Sequence, residues 1–457
     1  MNPTILVLVI YLAIMFFIAW FFSRKESIES YFTNKKKTGL WLMTFSTVAT
    51  VVGAGGSVAV VSEVFNSGIS YGLALPISFV AGMIILGIVA KKIKTIGDKY
   101  DAYTIVDFFH KRFDEKNRIL AGVLQLFLLI IWIGVQAIAM ASLASILIGV
   151  NYQIALFLAT FITILYTTIG GLKIDIITDF IQFWVISAMF IIIAIIGYNH
   201  VGGISNLLSQ LPQGHLNPLA FGGMSWFIGV IVLSGFIYLG NTAHWQRILS
   251  AESQITARKS FFLAIPFVLI LGGLVVFIGL VAAVSLSGIK QEFAIFSLMD
   301  AILPAGLMGL GFAAMLAVIM SSVDSLLIGG STIIYKALFA KKKLSKRKEL
   351  SYARLITGLF GIGGFMLAFL VPNIITLSLI VSYLALIFVP AIFAGIYSRR
   401  VSSNASFYSI LIPTIILFIL FPIVRENTFL ITTLLATLII LFYDKVFKRK
   451  IDLSNVN

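Results

Sequence analysis

The sequence predicts an all-α polytopic membrane protein with thirteen transmembrane helices. Three observations carry that expectation. Of 457 residues, 60% are hydrophobic and 11% are charged, where a soluble globular chain carries about 25% charged residues. Apolar runs near the 20 or so residues needed to cross a hydrocarbon core recur along the whole chain. The basic residues between those runs fall almost entirely on one side of the membrane.

The runs define the elements in order. The first, near 3–22, lacks a basic leader and is followed by Arg24, Lys25 and Lys35–Lys37, so it reads as a retained helix rather than a cleaved signal. The next five lie near 41–64, 70–90, 119–149, 152–170 and 175–198. The seventh to eleventh lie near 222–241, 260–286, 303–335, 352–371 and 374–397, and the last two near 404–424 and 427–443. With the connecting loops assigned alternately to two sides, one side holds every Lys and Arg except Lys290 and Arg425, 31 of the 33. The positive-inside rule makes that side cytoplasmic. The N-terminus is then outside, the C-terminus inside, and the location the cell membrane. A wrong helix count would scramble this asymmetry. The net charge of +15 is thereby explained by topology, with no nucleic-acid surface required. Cysteine is absent and the four histidines form no metal-spaced cluster. The longest polar segments, 91–118 and 336–351, are only loops, so no kinase, nuclease or hydrolase domain is expected.

Ionisable side chains within spanning helices cost about 2.5–3.5 kcal/mol each at mid-membrane and tend to be functional. Asp175 lies at the inner start of the sixth helix, Asp179 one turn deeper, and Asp324 deepest of all. "SSVDSLL" (321–327) puts Ser321, Asp324 and Ser325 on one helical face, with Ser322 flanking. Hydroxyls and a carboxylate suit a hard cation; back-bonded serines packed on a neighbour are the alternative. "ATVVGAGGSVAVVSE" (49–63) places Gly53, Gly55 and Gly56 mid-helix, each costing about 1 kcal/mol against alanine. Such a cluster marks an unwound segment lining a cavity or a close helix crossing. Ser234–Gly235, with Gly240 beyond, is a second weak point five helices later, as a five-plus-five inverted repeat requires.

Four segments together resemble the sodium:solute symporter family: "ATVVGAGGSVAVVSEVFNSG" (49–68), "YTTIGGLKIDIITDFIQ" (166–182), "HWQRILSAES" (244–253) and "SSVDSLL". The resemblance implies a leucine-transporter-type fold with one extra N-terminal and two extra C-terminal helices. Its parts would be 1–40 (extra helix and loop), 41–198 (first repeat), 199–221 (external loop), 222–398 (second repeat) and 399–457 (last two helices and tail). It also implies uptake of a small organic solute coupled to Na+ by alternating access, by a monomer. Its main sodium site would use carbonyls of Ala49, Val52 and Val318 and hydroxyls of Ser321 and Ser322. A second ion or proton site in some relatives would use Asp179, Ser321, Asp324 and Ser325. Asp324 replaces a third hydroxyl there, leaving a second Na+, a proton and a structural hydrogen bond all open. Where relatives touch solute with polar side chains, this chain has Val51, Gly53 and Gly56, so recognition would fall to Gln136, Tyr238, Ser378, Ser382 and Tyr383. No Arg or Lys is expected deep in the membrane. These features favour an amino acid or monocarboxylate over a hexose. A transporter-like sensor working through a separate partner and an H+-coupled symporter are the alternatives; an enzyme is not expected.

Overall fold

The computed structural model describes residues 3–24, 26–339, 342–370, 374–398 and 400–453. In chain order the helices are α1 (Pro3–Ser23), α2 (Ile28–Thr33), α3 (Leu40–Val51), α4 (Val58–Ser67), α5 (Ile69–Tyr100) and α6 (Ile105–Arg112). There follow α7 (Glu115–Ile148), α8 (Tyr152–His200), α9 (Ile204–Gln210), α10 (Gly223–Ile237), α11 (Thr242–Ser250) and α12 (Gln254–Ser285). The last are α13 (Ala294–Ile302), α14 (Ala305–Phe339), α15 (Lys346–Leu370), α16 (Ile374–Tyr397), α17 (Ser403–Val424) and α18 (Thr428–Leu453). A bilayer offers no water to unpaired backbone, so a chain this apolar must close its hydrogen bonds within helices.

Among the described residues ten helices are long and apolar enough to cross a membrane, or eleven if the bent pair α10–α11 makes one crossing. Two features depart from simple rods. α3 and α4 are short apolar helices separated by residues 52–57. α8 has 49 residues, about 73 Å at 1.5 Å per residue, far more than a hydrocarbon core of about 30 Å. It turns at Gly171, whose φ of 62° and ψ of −174° leave the helical region. A Cβ there would also lie 2.5 Å from the Tyr31 ring.

α14 is the central post. It is buried almost continuously from Met308 to Ile333 and packs against α1, α3, α7, α8 and α15. α17 and α18 are peripheral and expose Ile419, Ile423, Leu434 and Leu441, a lipid-facing surface. Between α1 and α3 the chain closes one end of the bundle. Tyr31 and Phe32 of α2 are fully buried with Leu172, Ile176, Ile328 and Ala353. The Tyr31 hydroxyl donates to Thr168 O at 3.1 Å and to Thr357 Oγ1 at 3.0 Å.

Glu26, just before α2, has a buried side chain 3.8 Å from Arg354 Nη2. Burial raises its pKa to about 8, against the opposing pull of Arg354 and Lys173. The folded state therefore keeps a proton that the unfolded chain releases near 4.5. This favourable contribution is complete below that value and is lost as pH rises through about 8. Amide exchange in α2, corrected for its intrinsic rate, should accelerate between about pH 6 and about pH 8.5. Glu26→Gln should remove that acceleration.

Candidate ion and solute site

α3 ends where the glycines begin. Val52 caps it (φ −74°, ψ −4°), and regular helix resumes only after Ser57. The carbonyls released by this break face α14. Ser321 Oγ lies 3.1 Å from Ala49 O and 3.0 Å from Val318 O. Ser322 Oγ donates to Thr50 O at 3.2 Å. Ser321 is fully buried and Ser322 nearly so. Gly53 permits this approach: a Cβ on it would sit 1.8 Å from Ser322 Oγ. Gly56 has a different reason, because its Cβ would collide with Val51 O at 2.3 Å within the break itself. Gly55 meets nothing within 4 Å.

One turn further along α14 lies a buried charge cluster centred on Arg247 of α11, which has no exposed surface. Its Nη2 is 3.0 Å from Asp179 Oδ2, 2.7 Å from Ser325 Oγ and 3.9 Å from Asp175 Oδ2, and it also donates to Thr50 Oγ1. Its Nε donates to Ser46 Oγ at 3.1 Å, and Ser46 donates to Asp179 at 2.6 Å. The sequence puts Arg247 in a polar run that reads as loop, but that run folds as α11 and buries the guanidinium within the protein. Asp175, read from the sequence as the start of the sixth helix, is also in the cluster at 2% exposure.

The four residues expected at a second ion site are therefore divided. Asp179 and Ser325 both bind Arg247. Asp324 faces the other way: its Oδ1 accepts from Thr167, and its buried Oδ2 has no hydrogen-bond partner among the described residues. Ser321 remains with the carbonyls of the break. Thr50, which the sequence reading passed over, joins the two parts. Its hydroxyl reaches Arg247, Asp179 at 3.5 Å and Ser321 O at 3.4 Å, and its carbonyl accepts from Ser322.

A second break separates α10 from α11, with a 62° bend. It falls after a short 3-10 turn, Tyr238–Gly240, at Asn241 (φ −110°, ψ 124°), and not at Ser234–Gly235, which are helical. Gly235 serves a close crossing instead: its Cβ would be 2.9 Å from Ala81 Cβ on α5. The broken backbone is clamped from α7. Gln125 Nε2 donates to Gly240 O at 2.6 Å, and Gln125 Oε1 accepts from Thr242 N at 3.1 Å. Leaving either group unpaired would cost about 1–3 kcal/mol. Trp245 Nε1 closes another carbonyl, Leu239 O, at 2.8 Å. The first break thus brings neutral carbonyl and hydroxyl oxygens together against α14, oxygens of the kind hard cations use.

Residues 31–413 match the sodium:solute symporter family. The chain belongs to this family. It is 29% identical over 368 residues to the sodium/pantothenate symporter of Haemophilus influenzae, covering 76% of this chain and 75% of that one. It is 26% identical over 415 residues to the osmoregulated proline transporter of Bacillus subtilis, covering 86% and 83%. In fold it is similar to a Na+-coupled sialic acid symporter solved in a substrate-bound outward-open state, with a TM-score of 0.84 over 96% of both chains at 18% identity. Symporter membership makes this a multi-pass membrane transporter that couples Na+ to solute, and not an enzyme.

Each segment that resembles this symporter family has a structural task here. In "HWQRILSAES", Trp245 caps the break, Gln246 Nε2 donates to Thr332 on α14 at 2.9 Å, and Arg247 holds the carboxylates. The Leu249 carbonyl accepts from the buried Lys94 of α5 at 3.0 Å. In "YTTIGGLKIDIITDFIQ", Tyr166 donates to Thr178, Thr167 to Asp324, and Gln182 to Tyr11 at 3.2 Å.

The residues expected to touch solute are only partly gathered. Tyr238 lies in the second break, its ring 4.9 Å from that of His244. Gln136 is 4% exposed, and its Oε1 has no partner among the described residues. It lies eleven residues beyond Gln125, hence on the same face of α7 about 16 Å outward. On α16, Ala385 O is where a Gly240 Cβ would strike, at 2.0 Å. Ser378 and Ser382 are seven and three residues before Ala385, so they share its face. Ser382 donates back to Ser378 O at 2.8 Å. Tyr383 is on the opposite face, its ring tilted against those of Phe421 and Phe429 of the last two helices, at 6.0 and 5.4 Å. Val51 is 5% exposed at the end of α3.

Proposed function

We propose that this symporter takes up an amino acid or a small monocarboxylate, driven by Na+ held between the α3 break and α14. The observation that carries this reading is that Ser321 Oγ lies within 3.1 Å of both Ala49 O and Val318 O. Val52 O and Ser322 Oγ complete the proposed set of neutral oxygens, so Na+ brings its own charge to the site. Its occupancy ties α3 to α14 and favours the outward-open state.

The solute cavity lies between the two breaks, α7 and α16, with Gln136, Tyr238, Ser378 and Ser382 as its polar side chains and Val51, Gly53 and Gly56 as its floor. Tyr383 has no part in it. Few side-chain donors suit a compact solute whose carboxylate is met by backbone N–H groups at helix ends. Pantothenate and proline, for which two relatives are named, are carboxylates of that kind. Arg247 pairs with Asp179 and holds Ser325, which argues against a second Na+ at those two residues, and Asp324 braces α14 against Thr167.

Counting α3–α4 and α10–α11 as one crossing each, and α8 as two about Gly171, gives thirteen helices. The two breaks are five crossings apart, which supports the five-plus-five repeat of 41–198 and 222–398, with 1–40, 199–221 and 399–457 outside it. The basic loops then face the cytoplasm, with the N-terminus outside, and the monomer is the working unit. Uptake of radiolabelled amino acids and monocarboxylates into proteoliposomes, with and without an inward Na+ gradient, tests the reading. Accumulation should require the gradient. Accumulation of every candidate indifferent to Na+ would refute it.

A further inference from the structure

A groove of about 550 Å³ opens at the basic end of the molecule between the start of α3, the inner part of α5 and the start of α12. Lys91, Arg258 and Lys259 line it together with Leu40, Phe262 and Leu263. The three cations come from two helices, and all are exposed. Among the described residues none of them forms an ion pair. Glu252, two residues before the start of α12, is engaged elsewhere: it accepts from Thr256 at 3.1 Å and lies beside Gly39. No acidic residue lines the groove.

Depth identifies what the groove meets. On α5 the apolar run ends at Ala90, immediately before Lys91. On α12 it begins at Ser260, immediately after Lys259. The cations therefore stand where hydrocarbon gives way to headgroups, with the apolar side chains on the membrane side. Trp41, next to Leu40, is 54% exposed, as interfacial tryptophans are. Three unpaired cations at phosphate level above an apolar floor complement an anionic amphiphile.

We propose that this groove is a binding site for an anionic phospholipid, with its phosphate held by Lys91, Arg258 and Lys259 and its chains on Phe262, Leu263 and Leu40. A phosphate bridging Lys91 to Arg258 and Lys259 staples α5 to α12. These two helices already touch closely, since a Cβ on Gly272 would come 2.8 Å from Pro76. The site does not depend on the identity of the transported solute.

The test uses the full-length protein in detergent, titrated with phosphatidylglycerol or phosphatidylcholine, and read by native mass spectrometry and thermal unfolding. The wild type should retain phosphatidylglycerol and unfold at higher temperature with it than with phosphatidylcholine. The triple variant Lys91→Gln, Arg258→Gln, Lys259→Gln should bind phosphatidylglycerol at least about ten-fold more weakly. The charge-conserving variant Lys91→Arg, Arg258→Lys, Lys259→Arg should keep the affinity, which separates lost binding from lost folding. Equal retention of both lipids by the wild type would overturn the proposal. So would undiminished phosphatidylglycerol binding by the glutamine variant. Full stabilisation by inorganic phosphate alone would also overturn it, by making this a site for the free anion.

Discussion

Arg247→Met should abolish Na+-driven uptake and sharply lower the unfolding temperature of the purified protein. The guanidinium is fully buried and is the one cation within 4 Å of Asp175 and Asp179 among the described residues. Removing it leaves two buried carboxylates uncompensated, and breaking a buried ion pair in this way costs about 3–5 kcal/mol. Lysine should not rescue, because a single ammonium cannot serve Ser46, Thr50, Asp179 and Ser325 from one planar fork. The double variant Arg247→Met, Asp179→Asn should recover part of the stability, since it removes the partner left without a counter-charge. A thermal-unfolding cycle over the four proteins measures this. Additive losses would mean that the two side chains do not act as a pair.

Gly53→Ala should be nearly as damaging to transport with less effect on folding. Its Cβ would enter the position of Ser322 Oγ at 1.8 Å, with Ser322 Cβ and Thr50 O both at 3.1 Å. Ser322 would have to rotate and give up its bond to Thr50 O. Overpacking of this kind costs about 1–3 kcal/mol, and here the strain falls on proposed ion ligands. Half-saturation by Na+ should rise about ten-fold or more, since 1.4 kcal/mol corresponds to a factor of ten. Gly55→Ala is the internal control. Its Cβ meets nothing within 4 Å, so uptake should keep its Na+ dependence. Equal effects of the two alanines would show that the glycines matter only as helix breakers.

The contrast between those glycines shows what the sequence could convey. The break after Val51 was legible because three glycines in four residues have few uses in a membrane helix. The second break lies next to Gly240 and not at Ser234–Gly235: Gly235 signals a close approach to Ala81, while the bend at Asn241 is held by Gln125, more than a hundred residues away. No local pattern announces such a partner. Arg247 was misread for a related reason: a basic residue beside a basic loop looks solvated until α11 is seen folding beneath α10. Helical periodicity grouped Ser321 with Asp324 and Ser325 and set Ser322 beside them, but left ion binding and back-bonding open; the family resemblance alone singled out Ser321 and Ser322. The division of Asp179 from Asp324 was not legible, because it depends on which neighbour, Arg247 or Thr167, reaches each carboxylate. Tyr383 shows the limit of face-counting without a neighbour: its place on α16 became clear only once Ala385 was seen against Gly240.

Equilibrium binding of radioactive Na+ to the purified protein, in wild type, Ser321→Ala and Ser322→Ala, tests the central claim most directly. Losing one ligand worth about 1–3 kcal/mol should weaken Na+ binding about ten-fold or more in Ser321→Ala, with a smaller loss in Ser322→Ala, and K+ should not compete. Unchanged Na+ affinity in both variants would contradict a sodium site between the α3 break and α14.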